Sequence, residues 1–413
     1  MNTQENGRFY RLTCPAEDIA LVDHLLEAQG FSARPDPLSV RFRTTLSEPI
    51  PLGSSLASYF GYIYIQDRSS MLPPLFLAPK KGETVLDMCA SPGGKTGILS
   101  QMVGPKGLVV ANEPNPGRYD TLRRNLHQTN CLNVVTCRYP GEELPFPEGF
   151  FSCILLDAPC SGWGTLDRHP SIKELWTRER AETLVALQRK LLASAARLLG
   201  PGGRLVYSTC TTNEEENEHQ IRWAMETLGL VPFAPAPPVG MPEYSKIPEG
   251  VKIHTQAGAQ GFFIAGLTRE GGSEAGQGIE PADFPLMDRG RVQASGVDWD
   301  RLPPGEMAVF NRRVYFIPRQ ALERIPGSVT FKGTQSGRLL DRRFAVDPRM
   351  RSLLPRPPKT DAVDLVEIHE VQRLLSGQRL RCAVSGHQAG WYWQGLPLGW
   401  LKSTGKACLW TGR

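Results

Sequence analysis

The sequence predicts an α/β protein with a doubly wound parallel sheet at its centre, a small α+β unit before it and a basic region after it. Three observations carry that expectation. Short apolar runs alternate with amphipathic stretches between Thr84 and Ser208, the pattern of strands crossed by helices. A glycine turn, Ala90-Ser-Pro-Gly-Gly-Lys-Thr96, follows the first run. Two later runs end in reactive groups, Ile154-Leu-Leu-Asp-Ala-Pro-Cys-Ser-Gly162 and Leu205-Val-Tyr-Ser-Thr-Cys-Thr211. In open parallel sheets ligands bind off the carboxyl ends of the strands, so these endings mark a site.

In chain order, residues 1–75 read as the small α+β unit. Ile19, Val22 and Leu26 line one helical face, with Pro15 near its start and Gly30 placed as its stop. Val40-Arg-Phe-Arg43 then alternates like a strand. Residues 76–268 form the main domain. Thr84-Val-Leu-Asp-Met-Cys89 is its first strand, Ile98 to Met102 belongs to the following helix, and Leu108-Val-Val-Ala-Asn-Glu113 is the second strand. Further strands are expected at 133–136, 152–156 and 204–208. A helix over 179–199 aligns Leu184, Leu187, Leu191, Ala195 and Leu198, and Gly200-Pro201 ends it. Residues 269–300, rich in Gly, Glu and Pro, read as a flexible linker. Residues 301–413 close the chain with short alternating strands carrying Trp391, Tyr392, Trp393, Trp400 and Trp410.

The chain has 413 residues and a net charge of +5, but the charge is uneven. Residues 301–413 hold 19 Lys and Arg against 8 Asp and Glu, or +11, which leaves −6 for the rest. A basic region on a mildly acidic body is the footprint of a polyanion binder, and nucleic acid is the commonest polyanion. No apolar run is long enough to span a membrane and Met1 to Gly7 is polar, so the expectation is a cytoplasmic protein. The nine cysteines include no Cys-x-x-Cys pair, which predicts reduced thiols and neither a disulfide framework nor a metal site.

Cys210, at the end of an apolar run and flanked by threonines, is the leading candidate nucleophile. Cys160 and Asp157 end the neighbouring run and belong to the same expected site. Arg168 and His169 follow the Cys160 loop and suit either a phosphate contact or a solvated loop. Three ligand classes compete for the glycine turn. Gly94-Lys95-Thr96 ends like a phosphate-binding loop, but Cys89 stands where its first glycine belongs. A Gly-x-Gly-x-x-Gly dinucleotide fingerprint is absent. A nucleoside without phosphates, such as S-adenosylmethionine, wants a ribose acid at the end of strand two, and Glu113 lies 20 residues after Gly93, at the expected spacing.

These residues resemble the Sun-type (NOL/NOP/Sun) RNA cytosine-5 methyltransferases, through Asp87-Met-Cys-Ala-Ser-Pro-Gly-Gly-Lys-Thr96, Asp157-Ala-Pro-Cys-Ser-Gly162 and Tyr207-Ser-Thr-Cys-Thr211. Tyr64-Ile-Gln-Asp-Arg-Ser-Ser-Met71 and Gly261-Phe-Phe-Ile264 are similar to further family segments. The resemblance implies a class I, Rossmann-like methyltransferase domain, and its flanks resemble the bacterial ribosomal RNA branch, with a PUA-like C-terminal RNA-binding extension. It implies S-adenosylmethionine held by Cys89, Ala90, Ser91, Pro92, Gly93, Gly94 and Lys95, with Glu113 on the ribose and Arg118 and Asp157 nearby. It implies Cys210 as the nucleophile, Asp157 as the acid facing ring nitrogen 3 of cytosine, and Cys160 as the thiol that helps release the methylated RNA. One departure is Pro140, which stands where the family carries an acid near the adenine amino group.

The expected activity is therefore methylation of carbon 5 of a cytidine in RNA, ribosomal (16S) first and transfer RNA second, by a monomer needing no metal. Two rivals remain. A DNA cytosine-5 methyltransferase would take its nucleophile from Pro159-Cys160, and a non-catalytic RNA-binding assembly factor would keep the fold without the chemistry.

Overall fold

The computed structural model describes residues 7–163, 178–233, 237–254, 261–271, 280–359, 362–382, 384 and 386–412. The first unit is an antiparallel sheet of β1 (Phe9–Leu12), β2 (Ser32–Asp36), β3 (Ser39–Ser47) and β4 (Ile63–Ile65), in the order β2-β3-β1-β4. Helix α1 (Ile19–Glu27) buries Val22, Leu25 and Leu26. It stops at Gly30, whose φ of 83° is open to glycine at no steric cost. Two short helices, α2 (Leu56–Tyr59) and α3 (Leu72–Leu77), lead into the main domain.

There the chain lays down β5 (Thr84–Asp87), α4 (Gly94–Val103), β6 (Leu108–Asn112), α5 (Pro116–Gln128), β7 (Val134–Cys137), β8 (Phe151–Asp157), α6 (Arg178–Leu198) and β9 (Leu199–Thr209). The five strands are parallel in the order β7-β6-β5-β8-β9. Both faces are covered, which is why the strands read as unbroken apolar runs. Leu86, Val110 and Ile154 pack in one cluster with Leu191 and Leu198 of α6. Val85, Val109 and Leu155 pack in another with Leu99 of α4 and Leu122 of α5. Because the chain winds outward from β5 in one direction and resumes at β8 in the other, the carboxyl ends of these strands frame a crevice.

After α7 (Glu218–Leu228) the sheet is extended by β10 (Leu230–Pro232), β11 (Tyr244–Ile247), β12 (Gly250–Ile253) and β13 (Phe262–Arg269). These strands pair antiparallel, with β13 directly against β9.

The C-terminal residues form two further sheets. The first, antiparallel, contains β14 (Gly305–Phe310), β15 (Arg313–Pro318), β16 (Thr334–Leu340) and β17 (Arg343–Val346), with α8 (Arg319–Arg324) after β15. Ile317, Ala321 and Ile325 of this part share the core cluster of the main sheet, and Lys332 pairs through its backbone with Thr136 on β7. The second sheet contains β18 (Val363–Leu365), β19 (Leu380–Arg381), β20 (Gln388–Trp393), β21 (Leu396–Ser403) and β22 (Ala407–Leu409), with α9 (Ile368–Leu375) after β18. Its Trp391, Trp393, Leu401 and Trp410 are buried in one cluster with Tyr10, Leu12, Val22 and Phe60 of the first unit. The two ends of the chain therefore share a core.

Two expectations change. Of the linker over 269–300, residues 272–279 lie outside the described residues. Residues 280–300 are bound to the C-terminal sheet: Leu286 and Gln293 form single bridges to Ala308 and Arg343, Met287 is buried, and Val292 and Trp299 pack beside it. Isolated bridges leave no periodic signal, so composition alone suggested mobility. Nor are all thiols free, since Cys382 and Cys408 form a disulfide. They are 26 residues apart and meet only because β19 lies beside β22.

The shared core makes a direct prediction. Trp391→Ala should cost about 3–5 kcal/mol in equilibrium denaturation, and the loss should expose the N-terminal unit to hydrogen exchange together with the C-terminal sheet.

Candidate active site

Strand β5 delivers Asp87, β8 delivers Asp157 and β9 delivers the segment ending in Cys210. The β8–β9 register pairs Asp157 with Ser208, whose hydroxyl donates to Asp157 Oδ1 at 2.8 Å. Just past these strand ends, Cys160 Sγ and Cys210 Sγ lie 3.2 Å apart. The two thiols and the acid named from the sequence thus meet in one place.

Their electrostatics differentiate them. The Cys210 thiol is shifted downward, chiefly because Cys160 donates a hydrogen bond to it; burial and Asp157 oppose the shift and the Lys95 ammonium aids it. The same contact, together with burial, pushes Cys160 well up. The pair therefore makes Cys210 the more readily ionised of the two thiols and disfavours ionisation of Cys160. Lys95 Nζ donates to Asp157 Oδ2 at 2.7 Å and stands 5.4 Å from the centre of the Phe262 ring. Burial disfavours the ammonium, but Asp157 outweighs it and the Lys95 pKa is raised.

The glycine turn closes a cavity of about 210 Å³ beside this pair. Cys89, Ala90, Ser91, Pro92, Gly94, Lys95 and Asp157 line it, as do Tyr64, Gln66, Ser70 and Asp87. A side chain at Gly94 would press on Gln66 Oε1 at 2.9 Å and Tyr64 at 3.0 Å, so glycine keeps the cradle open. Gly93 stands behind it at a φ of 104°, where an added Cβ would press on Leu122 at 3.1 Å. Burial pushes the Cys89 thiol up, aided by the nearby carboxylates, so it is an inert wall. Glu113 and Arg118 lie outside the lining. Arg118 Nε is 3.3 Å from Glu113 Oε2, the Asn115 N–H donates to Glu113 Oε1 at 3.0 Å, and Arg118 exchanges hydrogen bonds with Ser91. Pro140 is exposed in the turn after β7 and also lies outside the cavity. Arg168 and His169 lie outside the described residues.

The chemistry of this lining selects among the ligand classes. Asp87 and Asp157 face the cavity; Asp157 is paired with Lys95, which leaves Asp87 as an acid without a cationic partner, a feature that disfavours a phosphate and suits a cation. Asp87 Oδ2 accepts from Thr96 at 2.7 Å, whereas its buried Oδ1 and Gln66 Oε1 lack partners. Desolvation, with Asp157 and Glu113 adding to it, pushes the Asp87 carboxyl up to about 7. Such a group accommodates a positively charged donor, and S-adenosylmethionine, with its ammonium and sulfonium, fits the set.

Residues missed from the sequence include Asp87, Tyr64, Gln66 and Glu216. Asp87 carried a usable signal, an acid closing an apolar strand. Glu216 carried none, since it stands in the run Asn213-Glu-Glu-Glu-Asn-Glu218 that reads as a solvated helix start. Yet it is fully buried. It accepts from the Ser161 N–H at 2.9 Å, the Ser161 hydroxyl at 2.5 Å, Gln188 at 3.0 Å and Asn213 at 3.1 Å. Ser161 follows Cys160 and its hydroxyl also meets that of Thr211, which follows Cys210, at 2.6 Å. Glu216 thus ties the two thiol-bearing turns together. Among the described residues no group of His, Cys, Asp and Glu suits a metal ion, and no helix is long and apolar enough to cross a membrane.

This arrangement predicts the reactivity of Cys210. Cys160→Ala removes its hydrogen-bond donor and Glu216→Ala releases the turn that positions that donor. Both should raise the midpoint of the pH profile for Cys210 alkylation, read by peptide mass spectrometry. Glu216→Ala should also destabilise the fold by about 1–3 kcal/mol for each donor left unpaired. An unmoved midpoint in Cys160→Ala would contradict the assignment of the thiolate.

Known proteins share these features. Residues 74–268 match the family described as 16S rRNA methyltransferase RsmB/F. The ribosomal RNA small subunit methyltransferase F of Salmonella agona is 34% identical over 69% of this chain, and the chain spans 62% of that protein's length. The counterpart from Salmonella typhi matches to the same extent. Among solved structures, a methyltransferase homolog protein from Pyrococcus horikoshii is 31% identical, covering 64% of this chain and 86% of its own at a TM-score of 0.54. NSun6 from Pyrococcus horikoshii with SFG, an S-adenosylmethionine analogue, is 22% identical at a TM-score of 0.53, covering 64% and 91%, and shares the fold. With its motifs, its sheet order and these matches, the chain belongs to the RsmB/F (Sun) family of S-adenosylmethionine-dependent methyltransferases.

Proposed function

We propose that the protein methylates carbon 5 of a cytidine in ribosomal RNA of the small subunit through a covalent adduct at Cys210. The observation that carries this reading is the pair of sulfurs 3.2 Å apart at the ends of β8 and β9, beside the Lys95–Asp157 pair. When bound, S-adenosylmethionine supplies an electrophilic methyl group. Carbon 5 of cytosine is too weak a nucleophile to take it unaided. The Cys210 thiolate adds to carbon 6, forming an S–C bond and moving the electron pair of the 5,6 double bond toward carbon 5. Ring nitrogen 3 takes up a proton delivered through the Lys95–Asp157 pair, with Asp157 facing the ring as the acid, so the adduct carries no net negative charge. After methyl transfer, a water molecule takes the carbon 5 proton, the freed electron pair restores the 5,6 double bond, and the S–C bond breaks to release the Cys210 thiolate, which Cys160 stabilises by donating a hydrogen bond. The target base must leave its stack to reach the sulfur. Asp87 and Gln66 would hold the methionine part of the cofactor, and Glu113 the ribose. Adenine, with Pro140 in place of an acid, would be held by backbone groups and packing. The substrate named for the Salmonella relatives supports ribosomal RNA, and the basic C-terminal sheets, which we assign as a PUA-like RNA-binding region, suit an RNA partner in the cytoplasm.

The roles of the thiols separate this reading from a DNA-type enzyme. Labelled methyl transfer to unmodified small-subunit particles, naked ribosomal RNA and transfer RNA should mark one cytidine, on ribosomal RNA. Cys210→Ala should abolish both methylation and the adduct, while Cys160→Ala should leave protein trapped on RNA in denaturing gels. Adduct formation surviving in Cys210→Ala and lost in Cys160→Ala would refute the assignment.

Asp87 predicts a pH dependence. Its carboxyl titrates near 7, and only the carboxylate attracts the cofactor's ammonium. Affinity for S-adenosylmethionine, measured by calorimetry, should therefore rise between pH 6 and 8. Asp87→Asn should flatten that rise and leave affinity at its low-pH level.

A further inference from the structure

At the opposite end of α4 lies a larger cavity, of about 540 Å³, with the reverse electrostatic character. Its walls come from three parts of the molecule. The N-terminal unit contributes Arg11 and Arg41, the C-terminal residues contribute Arg301, Arg351 and Arg356, and the ends of α4 and α5 complete it. Asp18 is the single acid in the lining, and its carboxylate is already paired with Arg356. The cavity therefore concentrates positive charge that no carboxylate of its own balances.

The most buried arginines carry the argument. Arg11 is 1% exposed, and its Nη1 donates to Gln101 at 2.7 Å while its Nε has no partner. The Cβ of any residue replacing Gly97 would collide with its guanidinium, so α4 is shaped to seat it. Arg351 is also buried, and it spends its donors on backbone carbonyls of Phe60, Gly61 and Gln128. Neither has a carboxylate partner among the described residues. Buried cations without counter-ions are costly, and burial, with the nearby Arg41 charge adding to it, pulls the Arg11 guanidinium down to about 10, still charged at neutral pH. Arg41 and Arg301 stand half-buried on the same walls. A doubly charged oxyanion with several acceptor oxygens is the ligand that such a set of planar donors matches.

From this geometry we propose that the three-way junction is a second binding site, one that takes a phosphate group and so clamps the N-terminal unit, the main domain and the C-terminal sheets together. It is separate from the cofactor cavity. Helix α4 spans ten residues, about 15 Å, between them, and the cofactor end is acidic where this one is basic. The phosphate arrives either as a free small anion or as part of an RNA strand.

The test uses the full-length protein and inorganic phosphate, with sodium chloride at matched ionic strength as the reference. Phosphate should raise the melting temperature above the chloride value and bind measurably by calorimetry. Arg41→Ala and Arg301→Ala, which leave the fully buried arginines in place, should each weaken phosphate binding about tenfold, the value of one charge-assisted hydrogen bond. Arg343→Ala, in a separate groove that it lines with Arg338 and Lys402, should not. No stabilisation beyond chloride, or equal losses in Arg343→Ala, would overturn the proposal. A short single-stranded RNA then identifies the source. If it competes with phosphate and the salt slope of its binding falls by about 0.7 for each arginine removed, the phosphate belongs to RNA. If phosphate or a nucleoside diphosphate binds and RNA does not compete, the site serves a small anion. None of these measurements involves methyl transfer, so the site stands or falls independently of the proposed reaction.

Discussion

Asp157 lies opposite Ser208 across β8 and β9, and the two side chains are hydrogen-bonded there. The pairing continues one step beyond, where the Ala158 N–H donates to the Ser208 carbonyl at 2.9 Å. That register brings the turns carrying Cys160 and Cys210 out of the sheet side by side. A slip of one residue would turn alternate side chains to the opposite face, taking Ser208 from Asp157 and separating the sulfurs. Glu216 and Ser161 lock the turns beyond the last strand pair, where the sheet can no longer hold them. The lowering of the Cys210 thiol depends on this geometry, because the side chain that lowers it is in a separate loop.

Charge is distributed along α4 in a way that suits the two cavities. Its N-terminal end meets Asp87, Asp157 and the glycine turn, and the helix dipole with Lys95 offsets part of the negative charge gathered there. Its other end meets the arginine cavity, whose walls belong to residues far apart in sequence. The C-terminal sheets complete these surroundings. By packing Trp391 and Trp410 on Phe60 they brace the N-terminal unit, and that unit presents Tyr64 and Gln66 to the cofactor cavity.

Much of the central sheet could be read without coordinates, since strands covered on both faces appear as Val- and Leu-rich runs. The limits of that reading are instructive. Strand β9 already begins at Leu199, opposite Phe151 and directly after the helix that Gly200-Pro201 is expected to end; residues 200–203 then bulge out of the β8 pairing, with Gly202 at a φ of 67°, before Arg204 rejoins it opposite Cys153. Four glutamates share the run after Cys210, of which Glu214 and Glu215 are exposed while Glu216 and Glu218 are buried. Nothing local distinguishes them, because their burial depends on where α6 and the Cys160 turn come to lie.

The sequence by itself determined the elements whose causes are local: apolar runs that must be buried, a glycine turn that leaves backbone accessible, a thiol and an acid closing two strands, and the motifs that mark the family. Only the tertiary structure decided which strand ends meet, which of the two thiols is shifted down, that Cys382 finds Cys408, and that the two ends of the chain share one core. The physical reason is range. Propensity and periodicity act over a few neighbouring residues, whereas a hydrogen bond between Cys160 and Cys210, or an arginine cavity drawn from three units, depends on contacts between residues tens to hundreds of positions apart.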